Sequence, residues 1–131
     1  MSTRSNIAKV IAPGQYKMIY CHWDGYPSHN GKILLEHYQD DAKIDFLLAL
    51  GDISMLAPEI GEKHDVRMEG WITAYGRDRG ETGVEARLVE TDDPLKLCEQ
   101  EYLYLWRDGK WFYSDHGDQM QEMTAKETEN D

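Results

Sequence analysis

The chain has 131 residues and a formal net charge of -11, with 25 acidic against 14 basic side chains. That length suits a single domain with its own apolar core, and the acidic balance repels phosphate backbones, so direct nucleic-acid binding is not expected. No apolar run approaches a membrane span and the first residues, Met1-Ser2-Thr3-Arg4, lack the apolar stretch of a signal peptide, so no membrane contact is expected and the protein should stay where it is made.

Ile7 to Ile11 and Tyr16 to Tyr20 read as two strands joined by Ala12-Pro13-Gly14-Gln15, with Pro13-Gly14 forming the type II pair at the turn centre. The next stretch, Tyr20-Cys21-His22-Trp23-Asp24-Gly25-Tyr26-Pro27-Ser28-His29-Asn30-Gly31, carries more rings and polar groups than a connection needs, which marks a loop that holds something. His22 changes charge near neutral pH, Asp24 orients it or accepts from a ligand hydroxyl, and Trp23 and Tyr26 offer flat faces. The competing reading is a plug of rings between sheet and helix. Cys21, His22, His29 and His37 also suggest a metal, but without the short paired spacing of a structural zinc site. Cys21 and Cys98 are read as free thiols.

Lys32 to Tyr38 reads as a helix capped by Ser28 or Asn30. A second helix has Asp41 as N-cap, Ile44, Leu47 and Leu48 as its buried stripe, and Gly51 as its left-handed stop. Asp52 is read as the cap of a short turn through Leu56, and Ala57 to Asp65 as a loop.

The second half changes period. Val66 to Tyr75, Thr82 to Glu90 and Tyr102 to Trp106 alternate as strands, and Arg107-Asp108-Gly109-Lys110 turns the last of these into Trp111-Phe112-Tyr113. Residues 1–116 are thus expected as one α+β domain, an antiparallel sheet of five or six strands with two helices on one face. Residues 117–131 are expected as an acidic, disordered tail. If Leu103 and Leu105 face the helices, then Tyr102, Tyr104 and Trp106 face away. Trp71, Tyr75, Trp111 and Tyr113 join them, giving an aromatic face to be covered by the chain's own terminal segments, by a homo-oligomer partner or by a stacked ligand.

Between two of these strands lies Gly76-Arg77-Asp78-Arg79-Gly80-Glu81. Arg77 and Arg79, one residue apart, point the same way from an extended loop and suit a phosphate or carboxylate. The competing reading pairs them with Asp78 and Glu81 at the surface. Ser114-Asp115-His116 is contiguous and so is no catalytic triad, and no glycine-rich phosphate loop is present. No enzyme and no cofactor are expected on these grounds.

Three segments together resemble a family of small proteins encoded by bacteriophages and prophages. They are Tyr20 to Gly31 with the following Ile33-Leu34-Leu35-Glu36-His37-Tyr38, then Leu50-Gly51-Asp52-Ile53-Ser54, then Ala74-Tyr75-Gly76-Arg77-Asp78-Arg79-Gly80-Glu81. A looser likeness continues at Glu101-Tyr102-Leu103-Tyr104. The family pattern has a histidine or other polar residue ahead of the first arginine, where this chain has Gly76. The resemblance implies a phage accessory protein acting in the host bacterial cytoplasm, by analogy a counter-defence factor, and implies no chemistry.

The expected function is therefore non-enzymatic capture of a small anionic ligand such as a nucleotide signal. Arg77 and Arg79 would take phosphate, Trp23 and Tyr26 stack on a ring, and His22 and Asp24 meet polar edges, which requires the two loops to meet. A competing expectation is an acidic inhibitor filling a basic groove of a host defence protein, because residues 85–131 hold 13 acidic and 5 basic side chains. A third is a metal-dependent enzyme using Cys21, His22 and His29.

Overall fold

The computed structural model describes residues 2–129; Met1, Asn130 and Asp131, the last two of them in the expected tail, lie outside the described residues. Strands β1 (Ser5–Ala12) and β2 (Gln15–Cys21) form the antiparallel hairpin announced by Pro13-Gly14, with Ile7 opposite Ile19 and Gly14 at φ +73°. Two helices follow. A wide turn at Pro27–Gly31 runs straight into α1 (Lys32–His37), and α2 spans Asp41–Ala49. The order then continues with β3 (Ile53–Met55), β4 (Thr73–Ala74), α3 (Tyr75–Arg79), β5 (Arg87–Glu90), β6 (Tyr102–Arg107), β7 (Lys110–Asp115) and β8 (Gln121–Glu122). The β6–β7 turn uses Asp108 at φ 54° and Gly109 at φ 73°, the two positive torsions that a type I′ hairpin requires.

Strand order is β4-β3-β2-β1-β6-β7-β8, with β5 pairing along the first half of β2. The architecture is an open, mostly antiparallel α+β sheet. Its eight strands exceed the five or six expected, because β3, β4 and β8 are too short to show an alternating pattern. Two pairings are parallel, β1 with β6 and β2 with β3, since the chain returns to them through long connections instead of hairpins.

The sheet is buried on both faces, and the aromatic assignment is inverted. Tyr104, Trp106 and Trp111 pack with Leu34, Tyr38, Ile44 and Leu47 on the helix side, where Tyr102 and Tyr113 also border the core. Leu103 and Leu105 face the other way, onto Ala8, Met18 and Leu97. The polar tips of the rings explain the choice. Trp106 Nε1 donates to Asp41 Oδ1 at 2.7 Å, Trp111 Nε1 to the Tyr38 carbonyl at 2.8 Å, and the Tyr104 hydroxyl to the Gly25 carbonyl at 2.5 Å. Buried rings of this kind settle where partners exist, and the helix layer supplies them. The aromatic face expected to be covered by the chain's ends, a second subunit or a ligand is thus covered by the chain's own helices with Met123 of the last residues, while Trp71 and Tyr75 lie outside the sheet.

Local corrections have similar causes. Asp40, not Asp41, caps α2 by accepting from the Ala42 N–H, which leaves the Asp41 carboxylate for Trp106 and Lys9. Neither Ser28 nor Asn30 caps α1. Asp52 accepts from the Tyr20 N–H at 2.9 Å, tying β3 to β2, and the turn expected after it is strand. Gly51 does end the α2 segment in the left-handed region, at φ +77°. Gly70 at φ +80° and Gly83 at φ +75° break the two long alternating runs, so only Thr73–Ala74 and Arg87–Glu90 extend as strands. Within the expected tail, β8 adds to β7 and Met123 is buried in the helix-side core. Among the described residues no helix is long and apolar enough to cross a membrane.

Candidate functional site

The aromatic loop is held rigid by its backbone. Its entry is fixed where the His22 and Trp23 N–H groups donate to the Ile53 and Ser54 carbonyls, at 3.1 and 3.0 Å. Gly25 donates to the Thr3 carbonyl at 2.8 Å and lies so close to β1 that a Cβ there would sit 2.9 Å from Ser5 Cβ. Asn30 is fully buried, and its amide nitrogen reaches Ser5 Oγ, Cys21 Sγ and the Trp23 carbonyl, each at 3.3 Å. One amide thus closes the loop upon itself. Between these anchors Asp24 adopts φ 56°, which an aspartate tolerates better than most residues.

That clamp sorts the candidate side chains. Trp23 stays 44% exposed. His22 stands behind it, with Nδ1 2.7 Å from the Tyr20 hydroxyl and its ring edge-on to the indole at 4.7 Å. The Tyr26 hydroxyl donates to Asp24 Oδ1 at 3.3 Å. His22 and Tyr26 therefore brace Trp23 and Asp24. Cys21 is fully buried, and burial pushes its thiol up to about 11 against the bonds that would lower it. His29 pairs with Asn30 and His37 lies at the surface beside Glu36. Among the described residues no three His, Cys, Asp or Glu side chains are grouped as a metal ion would need.

The arginine pair divides because its segment is helical. Two residues along a helix rotate the side chain through about 200°, so Arg77 and Arg79 point to opposite sides, where an extended loop would have aligned them. Arg77 turns inward. Its Nε and Nη2 hold Asp78 at 2.9 and 3.0 Å, Nη2 also donates to the Ile72 carbonyl at 2.9 Å, and Nη1 to the Ile60 carbonyl at 2.9 Å. Asp78 completes the cluster by accepting from the Ala74 N–H at 2.8 Å and the His64 N–H at 3.2 Å. Burial alone would raise its carboxyl, but these bonds, led by Arg77, outweigh it and hold the group below the usual carboxylate range. Arg79 turns outward, its guanidinium 5.3 Å from the Tyr75 ring.

Trp23, Asp24 and Arg79 meet on one open cleft of about 370 Å³, completed by Ser54, Met55, Thr73, Asp78 and the loop carrying His64, Asp65, Val66 and Arg67. The two loops singled out in the sequence therefore come together, through three of the six candidate residues. Arg67 and Arg79 bring two positive charges, Asp24 and Asp65 two negative ones, while Arg77 neutralises Asp78 from behind. Trp23 and the exposed Val66 give the rim an apolar character. His64 and Thr73 were not legible as site residues. A histidine in a polar loop is unremarkable until Asp78 captures its N–H and Trp71 packs edge-on against its ring, 5.6 Å away. No family model, curated protein or solved structure matches the chain.

Proposed function

We propose that this is a non-enzymatic binding protein that captures a small anionic ligand, a nucleotide signal being the class that best suits the cleft. The observation that supports it is the meeting of an exposed indole, the Asp24 carboxylate braced by Tyr26, and two arginines around a cleft large enough for such a molecule. In this reading Trp23 stacks on a flat ring and Arg79, with Arg67, takes the phosphate. Asp24 accepts from an amino or hydroxyl edge. His22 and Tyr26 hold the first two in position, and Arg77 holds the wall. The resemblance to phage proteins adds to this proposal the role of a counter-defence accessory factor acting in the host bacterial cytoplasm.

The test is direct binding of AMP, GMP, 3′,5′-cyclic AMP and ADP-ribose to the full chain, followed by thermal shift and calorimetry. A rise in melting temperature with at least one of them, abolished in Arg79→Ala and Trp23→Ala, is expected. No shift with any of the four would sink the reading.

A further inference from the structure

Two residues that line the cleft carry polar atoms, just beneath its surface, that no protein atom satisfies. Among the described residues, His64 Nε2 and Thr73 Oγ1 are shielded from solvent and lack a hydrogen-bond partner. The His64 side chain is 8% exposed, and both residues line the cleft. They flank one carboxylate: Asp78 accepts from the His64 backbone through Oδ1 and from Ala74, next to Thr73, through Oδ2. Buried polar atoms without partners are uncommon, because each forfeits its hydration for nothing, so a pair of them under one cleft calls for a partner from outside the chain.

Their chemistry narrows what they would accept. His64 Nδ1 lies 2.6 Å from the Glu62 carbonyl and 3.5 Å from Asp78 Oδ1, and neither oxygen donates. Nδ1 therefore carries a hydrogen, and in that tautomer Nε2 is an acceptor. An ionised phosphate has no hydrogen to give it. A hydroxyl does have one. Thr73 Oγ1 can both donate and accept, so a second hydroxyl beside the first completes the match.

We propose that His64 and Thr73 read the cis-diol of a ribose, with the base against Trp23 and the 5′-phosphate toward Arg79. This rests on the capture reading above and narrows it: ligands with both ribose hydroxyls free should bind better than deoxy or 3′,5′-cyclic forms. Neither atom is open to a water-sized group while the cleft is empty, so a ribose hydroxyl meets them only if the wall carrying His64 opens as the ligand enters.

Calorimetry on the full chain with AMP, 2′-deoxy-AMP, 3′-deoxy-AMP and 3′,5′-cyclic AMP tests this. Wild type should bind AMP about tenfold more tightly than each analogue, the weight of one hydrogen bond to a buried group. Thr73→Val, isosteric and removing a hydroxyl that bonds nothing in the protein, should melt no lower than wild type and lose most of that preference, while Thr73→Ser keeps it. His64→Gln should also lose it, and Arg79→Ala should weaken all four ligands alike. Equal binding of AMP and its deoxy forms overturns ribose readout but leaves capture standing. A preference undiminished in Thr73→Val overturns the assignment of these residues. Binding of none of the four overturns ribose readout, and capture falls with it only if GMP and ADP-ribose also fail to bind.

Discussion

Replacing Arg77 by alanine should damage the fold, whereas the same change at Arg79 should spare it. The Arg77 side chain is 18% exposed and Asp78 only 2%, so removing the guanidinium strands a buried carboxylate and unpairs the Ile60 and Ile72 carbonyls. Breaking a buried pair from one side costs about 3–5 kcal/mol. A domain of this length has about 7–20 kcal/mol in total, so the variant should remain folded but visibly weaker. With a urea dependence near 2 kcal/mol per molar, the midpoint should fall by about 2 M. Arg79→Ala loses an exposed contact with Tyr75, about 0.5–1 kcal/mol, and its midpoint should move by less than about 0.5 M. Tryptophan fluorescence during urea titration reads both. The acid limb adds a sign check. A lowered Asp78 carboxyl contributes stability above the ordinary carboxylate value near pH 4, and that stability is lost as pH falls through the folded value, so the gap between wild type and Arg77→Ala should narrow below about pH 4. Equal midpoints for the two arginine variants would refute the scaffold role of Arg77.

Three further outcomes follow from particular contacts. Trp23→Ala should melt within a few degrees of wild type, since the indole is half in solvent, yet weaken AMP binding by about 1–3 kcal/mol in calorimetry, the usual weight of a stacked base. Gly51→Ala should cost about 2 kcal/mol or more in urea unfolding, because φ is +77° there and a Cβ would stand 2.3 Å from the Val84 carbonyl oxygen. Cys21 should resist a disulfide reagent at pH 8 until the protein unfolds, while the half-buried Cys98 reacts first. With the Cys21 thiol raised to about 11 from 9.0, the stability it contributes persists below pH 9 and fades as pH climbs toward 11, seen as a falling melting temperature.

The sequence by itself determined whatever one turn or one stripe of side chains controls. Pro13-Gly14 and Asp108-Gly109 set both hairpins through torsions that few other residues accept, Ile44, Leu47 and Leu48 marked the buried side of α2, and Gly51 marked its end. The density of rings in Tyr20–Gly31 likewise pointed to the loop that forms one wall of the cleft. Only the tertiary structure decided which face of β6 met the helices, because alternation shows two faces without saying which neighbour each will have. The outcome turned on acceptors at Asp41, Tyr38 and Gly25, residues 65, 73 and 79 positions away from the rings they satisfy. The same holds at the site. Five residues of helix at Tyr75–Arg79 separated two arginines that look alike on paper, and Asp78 drew in His64 from 14 residues upstream. Such roles depend on partners distant along the chain, and a local pattern carries no record of them.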